Sequence, residues 1–122
     1  MSKSFTRNIA PFVHRELEQA FEARKAGDTT AEFHHLENAH VIGQESTYWH
    51  VKVHVMMFLW SLRNADPREF VGQLLRIVGA ATKTAVGLIP QGNTGGANIS
   101  PFRPLPLKPE HRRIIEQAKS NA

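Results

Sequence analysis

The chain has no cysteine among its 122 residues. That absence removes disulfides, thiolate zinc sites, iron–sulfur clusters and cysteine nucleophiles, so any metal must be held by nitrogen and oxygen ligands. Long hydrophobic runs are missing too. The most apolar stretch, Val51 to Leu62, contains Lys52 and His54, and it is too short and too polar to span a bilayer. The opening segment MSKSFTRNIAPF has no apolar core of signal-peptide length, so the expectation is a cytoplasmic protein of bacterial type. Nor is there a basic stripe. The net charge is +4, but the excess lies at the ends: Lys3 and Arg7 at the start, and five basic residues against Glu110 and Glu116 over 103–119. Residues 11–102 hold eight basic and nine acidic residues. With no aromatics interleaved among the basic residues, nucleic acid is not the expected partner.

What remains is a globular composition, 41% apolar and 21% charged, in a chain of single-domain length. The spacing predicts a first helix over Pro11–Ala26, with proline at its first position and Gly27 as its stop. Val13, Leu17, Ala20 and Phe21 mark its apolar stripe. A second helix spans Thr30–Ile42, with Phe33, Leu36 and Ala39 inward and Gly43 ending it. Ser46 or Thr47 caps a third that runs to Asn64. Asp66-Pro67-Arg68-Glu69 opens a fourth with a capping aspartate, a first-turn proline and a glutamate three residues on. Phe70, Val71, Leu74, Ile77, Val78 and Ala81 follow at helical spacing, and the helix fades near Lys83.

A faint repeat aligns AGDTTAEFHHLENA with NADPREFVGQLLRI at an offset of 38, Asp28 falling on Asp66. The fold expected is therefore all-α: two antiparallel helical hairpins, TPR-like or a bundle. Residues 1–86 form this four-helix part. From Gly87 the run GLIPQGNTGGANISPFRPLPLKP suits neither helix nor regular strand, and a short helix from Pro109 to Lys119 closes the chain. Residues 87–122 are expected to pack on the same domain.

Five of the seven histidines, His34, His35, His40, His50 and His54, lie close together in sequence. Glu37 and His40 share one face of the second helix, three residues apart. His50 and His54 share one face of the third, four apart. In an antiparallel hairpin turning about Glu45, residues whose numbers sum to about 90 lie level. That pairs His40 with His50, and Leu36 or Glu37 with His54. Glu37, His40, His50 and His54 are thus candidate ligands for a tetrahedral zinc site or a two-histidine-one-carboxylate iron site. His14 and Glu18 on the first helix, and His35, are secondary candidates as a fourth ligand or as an acceptor for an imidazole N–H. Met57, one turn beyond His54, suits a softer ion such as copper, but at this spacing methionine is commonly plain core. A second Glu-x-x-His is absent, which argues against a di-iron bundle site. A hydrogen-bonded polar network, or an acid–base site without metal, stays open as a reading of the same residues. GNTGGAN lacks the spacing and lysine of a phosphate loop. An irregular ordered arm is expected over an anion nest, with a lid over one mouth of the site as one use such an arm could have.

HLENAHVIGQ, the His50/His54 pair followed by Met56-Met57, GQLLR, and IPQGNTGGANISPFRPLP resemble a small bacterial family of unknown function, often encoded among heavy-metal resistance genes. The resemblance covers about residues 12–110. His35, Glu37, His40, Gln44, His50, His54 and Gly92 to Asn98 match its motif positions, while arginine is typical where this chain has Gly96. It implies a metal-stress setting and brings no established activity to carry over. The expected function is binding of a divalent transition metal (zinc, cobalt, nickel, copper or iron) for sensing, buffering or resistance. The alternatives are a helical-hairpin interaction module, with a protein partner or a second copy of the chain, and a non-haem iron or zinc enzyme.

Overall fold

In the computed structural model, which describes residues 3–85, 93–96 and 104–120 (for 81–85 the helix alone, without side chains), all regular structure is helical. The elements are α1 (Lys3–Lys25), α2 (Thr29–Gly43), α3 (Thr47–Arg63), α4 (Pro67–Ala85) and α5 (Pro109–Ser120). The starts of α2, α3 and α4 lie where short polar side chains can accept the free N–H groups of a first turn. Asp28 accepts from the Ala31 amide at 3.0 Å, Ser46 from Trp49 at 3.4 Å, and Asp66 from Glu69 at 3.0 Å. The all-α expectation and these three starts hold.

The start of α1 does not. Pro11 lies inside the helix, which begins two turns earlier than its proline suggested. An interior proline costs about 3 kcal/mol. Phe5 and Ile9, exposed to 1% and 0%, sit in the early turns and continue the buried stripe of Val13 and Ala20. Burying two such side chains is worth roughly 1.5–3 kcal/mol each, enough to carry the helix through the proline.

Helix α1 packs on α2, and α3 on α4; α2 and α3 join the two hairpins, and α5 lies against α1 and α2. The core between α1, α2 and α3 is built from Ile9, Val13, Leu36, Ile42, Trp49, Val53 and Met57, with Ile115 closing it from α5. Polar ties cross it. Trp49 Nε1 donates to the Thr6 carbonyl at 3.0 Å, and Arg63 grips the buried Glu32 with two nitrogens at 2.7 and 3.2 Å. Lys119 pairs with Glu45 at 2.7 Å, which fastens α5 to the α2–α3 connection.

Helix α4 is the exception. Among the described residues it packs on α3 and on no other helix. Its stripe is also split. Phe70 stacks on Phe58 of α3 with ring centroids 4.8 Å apart, and Glu69, Gln73 and Ala80 are the residues turned fully inward. Val71, Leu74 and Val78, apolar at helical spacing, are exposed together with Leu75. The position of Ala81's side chain lies outside what is described.

The two hairpin connections repeat each other, as the offset of 38 suggests. Gly27 (φ 76) precedes the capping Asp28, and Ala65 (φ 52) precedes the capping Asp66. In each connection the aspartate amide reaches back to a helix carbonyl, Ala23 in the first and Ser61 in the second, both at 2.9 Å. A left-handed residue with a Cβ pays roughly 1–2 kcal/mol that glycine does not, part of which the looser unfolded chain of a glycine variant returns. Ala65→Gly should therefore raise stability to urea by about 0.5–1 kcal/mol, and Gly27→Ala should lower it by a similar amount. Equilibrium unfolding followed by circular dichroism measures both; a destabilised Ala65→Gly would contradict the strain argument.

Candidate metal centre

The hairpin register brings three of the four expected ligands together. Helix α2 presents His40, and α3 presents His50 and His54 one turn apart. All three are buried, with 2–3% exposure. Ring centroids are 5.0 Å apart for His40 and His50, 4.7 Å for His40 and His54, and 5.0 Å for His50 and His54. One ring nitrogen from each lies within 4.8 Å of the others. They enclose, with Gln44, Arg76, Asn93 and Gly95, a cavity of about 10 Å³, room for one water or one ion.

The hydrogen bonds around the rings fix which nitrogens point inward. His40 Nδ1 lies 2.7 Å from the Asn93 carbonyl, which can only accept, so Nδ1 carries the proton and Nε2 the lone pair. His54 Nδ1 lies 2.6 Å from Gln73 Oε1. The Gln73 amide is itself oriented, because its Nε2 donates to Glu69 Oε2 at 2.7 Å and to the Gly95 carbonyl at 2.8 Å. Oε1 must then accept from His54 Nδ1–H, and Nε2 of His54 also carries a lone pair. The two Nε2 atoms are 3.1 Å apart. Two lone pairs at that distance repel unless a cation stands between them, either a proton or a metal ion. Tetrahedral zinc with Zn–N bonds near 2.0–2.1 Å separates its nitrogens by about 3.3 Å. The two rings are therefore a few tenths of an ångström from ligating geometry. Orientation of each imidazole through its far nitrogen is how proteins prepare histidines as metal ligands.

The arm residues complete the site. Gly95 has φ +84, and a Cβ there would come within 2.5 Å of His40 Cδ2, so only glycine lets the backbone lie against the ring. Asn93, 1% exposed, holds the turn through its side chain, which accepts from the Gly95 amide at 2.9 Å. Residues 93–96 thus lie against the histidines, in the place a lid over one mouth would take. Gly92, Ala97 and Asn98 of the same motif lie outside the described residues.

The other expected residues lie elsewhere. Glu37 is not in the histidine group: its carboxylate faces His34 at 3.8 Å and lines a separate groove of about 360 Å³ with Lys108 and His111. The level register alone could not tell which of Leu36 and Glu37 turns toward His54. Leu36 takes the core, and Glu37 falls outside it. His35 Nδ1 donates to Glu16 of α1 at 2.9 Å. His14 and Glu18 are exposed, and the His14 ring packs edge-on to Trp49, 5.0 Å away. None of the three reaches the histidine group: His35 is tied to α1 through Glu16, His14 meets α3 at Trp49 instead, and Glu18 faces solvent. Met57 is core, its sulfur 3.5 Å from Gln73 Nε2. Sequence reasoning on the histidines missed Glu69, Gln73, Arg76, Asn93 and Gly95. Gln73 and Arg76 left a trace in the quoted GQLLR and Asn93 and Gly95 in GNTGGAN, while Glu69 was read as a capping residue of the fourth helix alone.

Burial, and after it the Glu69 carboxylate, raise the Glu37 carboxyl above its ordinary value, with Lys108 opposing. A raised carboxyl binds its proton more tightly in the fold, so its contribution is full below the ordinary carboxylate pKa and lost as pH rises through the folded value. Glu37→Gln should hence unfold at higher urea than the wild type at pH 7 and equally at pH 4. Gly95→Ala should lose about 1–3 kcal/mol of stability. It should also displace His40, read as loss of its Nδ1–H signature in long-range ¹H–¹⁵N spectra. An unchanged spectrum would remove the arm from the site.

No curated protein and no solved structure matches the chain. A family model covers residues 7–115, a span that includes the three histidines, Gln44, Gln73, Arg76, Asn93 and Gly95. The chain belongs to the family described as "Protein of unknown function (DUF3703)".

Proposed function

We propose that the protein binds a divalent transition ion through His40, His50 and His54, and that zinc is the ion the site suits. The carrying observation is the pair of Nε2 atoms held face to face by Asn93 and Gln73. Three neutral imidazoles and no thiolate favour zinc, cobalt or nickel over copper(I). Zinc accepts a compact tetrahedral site without a geometric preference of its own. Three protein ligands leave a fourth position. Arg76 lines the same cavity, and a guanidinium beside the ion favours a small anion, such as hydroxide, as the remaining ligand. A cavity this small leaves no space for a larger substrate beside the ion, so the reading is capture of the metal, for sensing, buffering or delivery in the cytoplasm, and not turnover.

The rival reading is a proton shared between His40 and His54, which the 3.1 Å separation also suits. Titration of tag-free protein with zinc and cobalt separates them. Binding at micromolar or tighter affinity, with tetrahedral cobalt absorption, should be abolished in His50→Ala and His54→Ala and kept in Glu37→Gln. Gln73→Leu should weaken it about 10–100-fold by releasing the His54 ring. Affinity should fall as pH drops below about 6.5, because protons compete for the imidazoles. No binding of either metal would leave the proton-bridged pair, visible as a downfield imidazole resonance.

A further inference from the structure

The outer face of α4 carries Val71, Leu74, Leu75 and Val78, exposed to 55, 46, 73 and 73%. Their spacing of three, four and seven residues makes one continuous stripe, on the opposite side of the helix from Gln73. Val55, Leu59 and Leu62 form a second stripe on α3, exposed to 38, 48 and 52%, and Leu59 and Leu62 also border a groove shared with Leu17 and Phe21 of α1. Phe58 and Phe70, stacked between the two helices, join the stripes into one surface. Seven aliphatic side chains this exposed leave on the order of 600 Å² of apolar area to water, at the upper limit for the surface of a monomer. A standard interface buries about 800 Å² per partner.

We infer that this surface is the seat of a second copy of the chain, the α3–α4 hairpins of two protomers closing a four-helix bundle around a two-fold axis. Three observations favour a second copy over a different protein. Helix α4 packs on α3 and on no other helix among the described residues, so the hairpin is half of a bundle layer. The stripe is aliphatic along its whole length, so it is complementary to itself. Arg68, at the α4 border of the stripe, also fits a two-fold arrangement. Arg68 lies seven residues from Leu75, and two α4 helices crossing antiparallel at Leu75 hold Arg68 and its copy roughly 20 Å apart, beyond the screening length at physiological salt. The inference does not rest on metal binding, because the histidines lie on the inner side of the same hairpin.

Sedimentation velocity of the full chain at tens of micromolar should give twice the protomer mass of 13.7 kDa. Leu75→Glu should sediment as a monomer with an unchanged helical spectrum, since the residue touches little within the protomer. The absence of native cysteine permits a second test independent of that variant's folding. Leu75→Cys should form a disulfide-linked dimer under mild oxidation, and Arg113→Cys on α5 should not. A wild type that stays monomeric at 100 µM (roughly a hundredfold above a micromolar Kd), or equal cross-linking from both cysteines, would overturn the inference. So would a monomer that co-sediments with phosphatidylglycerol vesicles, which would assign the stripe to a lipid surface.

Discussion

Two hydrogen bonds on the far sides of two imidazoles determine what the centre of this protein can do. Asn93 takes the Nδ1 proton of His40, and Gln73 takes that of His54. With those two protons fixed outward, the inner nitrogens of His40 and His54 face each other at 3.1 Å and call for a cation, a proton or a metal ion, between them, with His50 as the third ring beside them. A histidine cluster without these bonds could rotate or change tautomer to satisfy itself. Here the carbonyl of Asn93 cannot donate, and the amide of Gln73 is held by Glu69 and Gly95 in the orientation that keeps its oxygen on His54. The site is prepared from outside inward, and the cost of burying Glu69 and Gln73 is met by completing the network.

The helical frame was legible because its signals are local. A capping aspartate or serine, a following glutamate and a closing glycine each act within a few residues, and α2, α3 and α4 start where those signals lie. Pro11 misled for the same reason. Its local preference for a helix start was outweighed by the burial of Phe5 and Ile9 against elements far along the chain. The level of His40 with His50, and the gathering of His54 near them, was also readable, since a tight hairpin turns sequence distance into height; the direct contact of His40 with His54 was not, because the register set His54 level with Leu36 or Glu37. Which of Leu36 and Glu37 would turn inward was not, because register fixes height and not rotation about the helix axis.

The residues that orient the imidazoles were beyond local reading. Gln73 lies 19 residues from His54, and Asn93 lies 53 from His40. Gln73 is a polar residue within a helix whose apolar pattern seemed complete without it. Gly95 gave no more than an irregular loop, since its purpose is a close approach to a ring on another element. Long-range polar contacts leave no period in the sequence.

The placement of α4 links the site to the surface. At 100° per residue, positions two on either side of Gln73 point about 160° away from it. Once Gln73 and, one turn earlier, Glu69 are turned onto α3 to reach His54, Val71 and Leu75 must face outward, and Leu74 and Val78 follow near them. An α4 rotated to bury that stripe on α3 would lose the acceptor that orients His54 and expose the network around it. The chain instead keeps the polar face inward and leaves an aliphatic face on the outside. In a cysteine-free protein of this size, that arrangement is sustainable when another apolar surface covers the stripe. The orientation of one imidazole and the exposure of one helix face are then consequences of a single helix rotation.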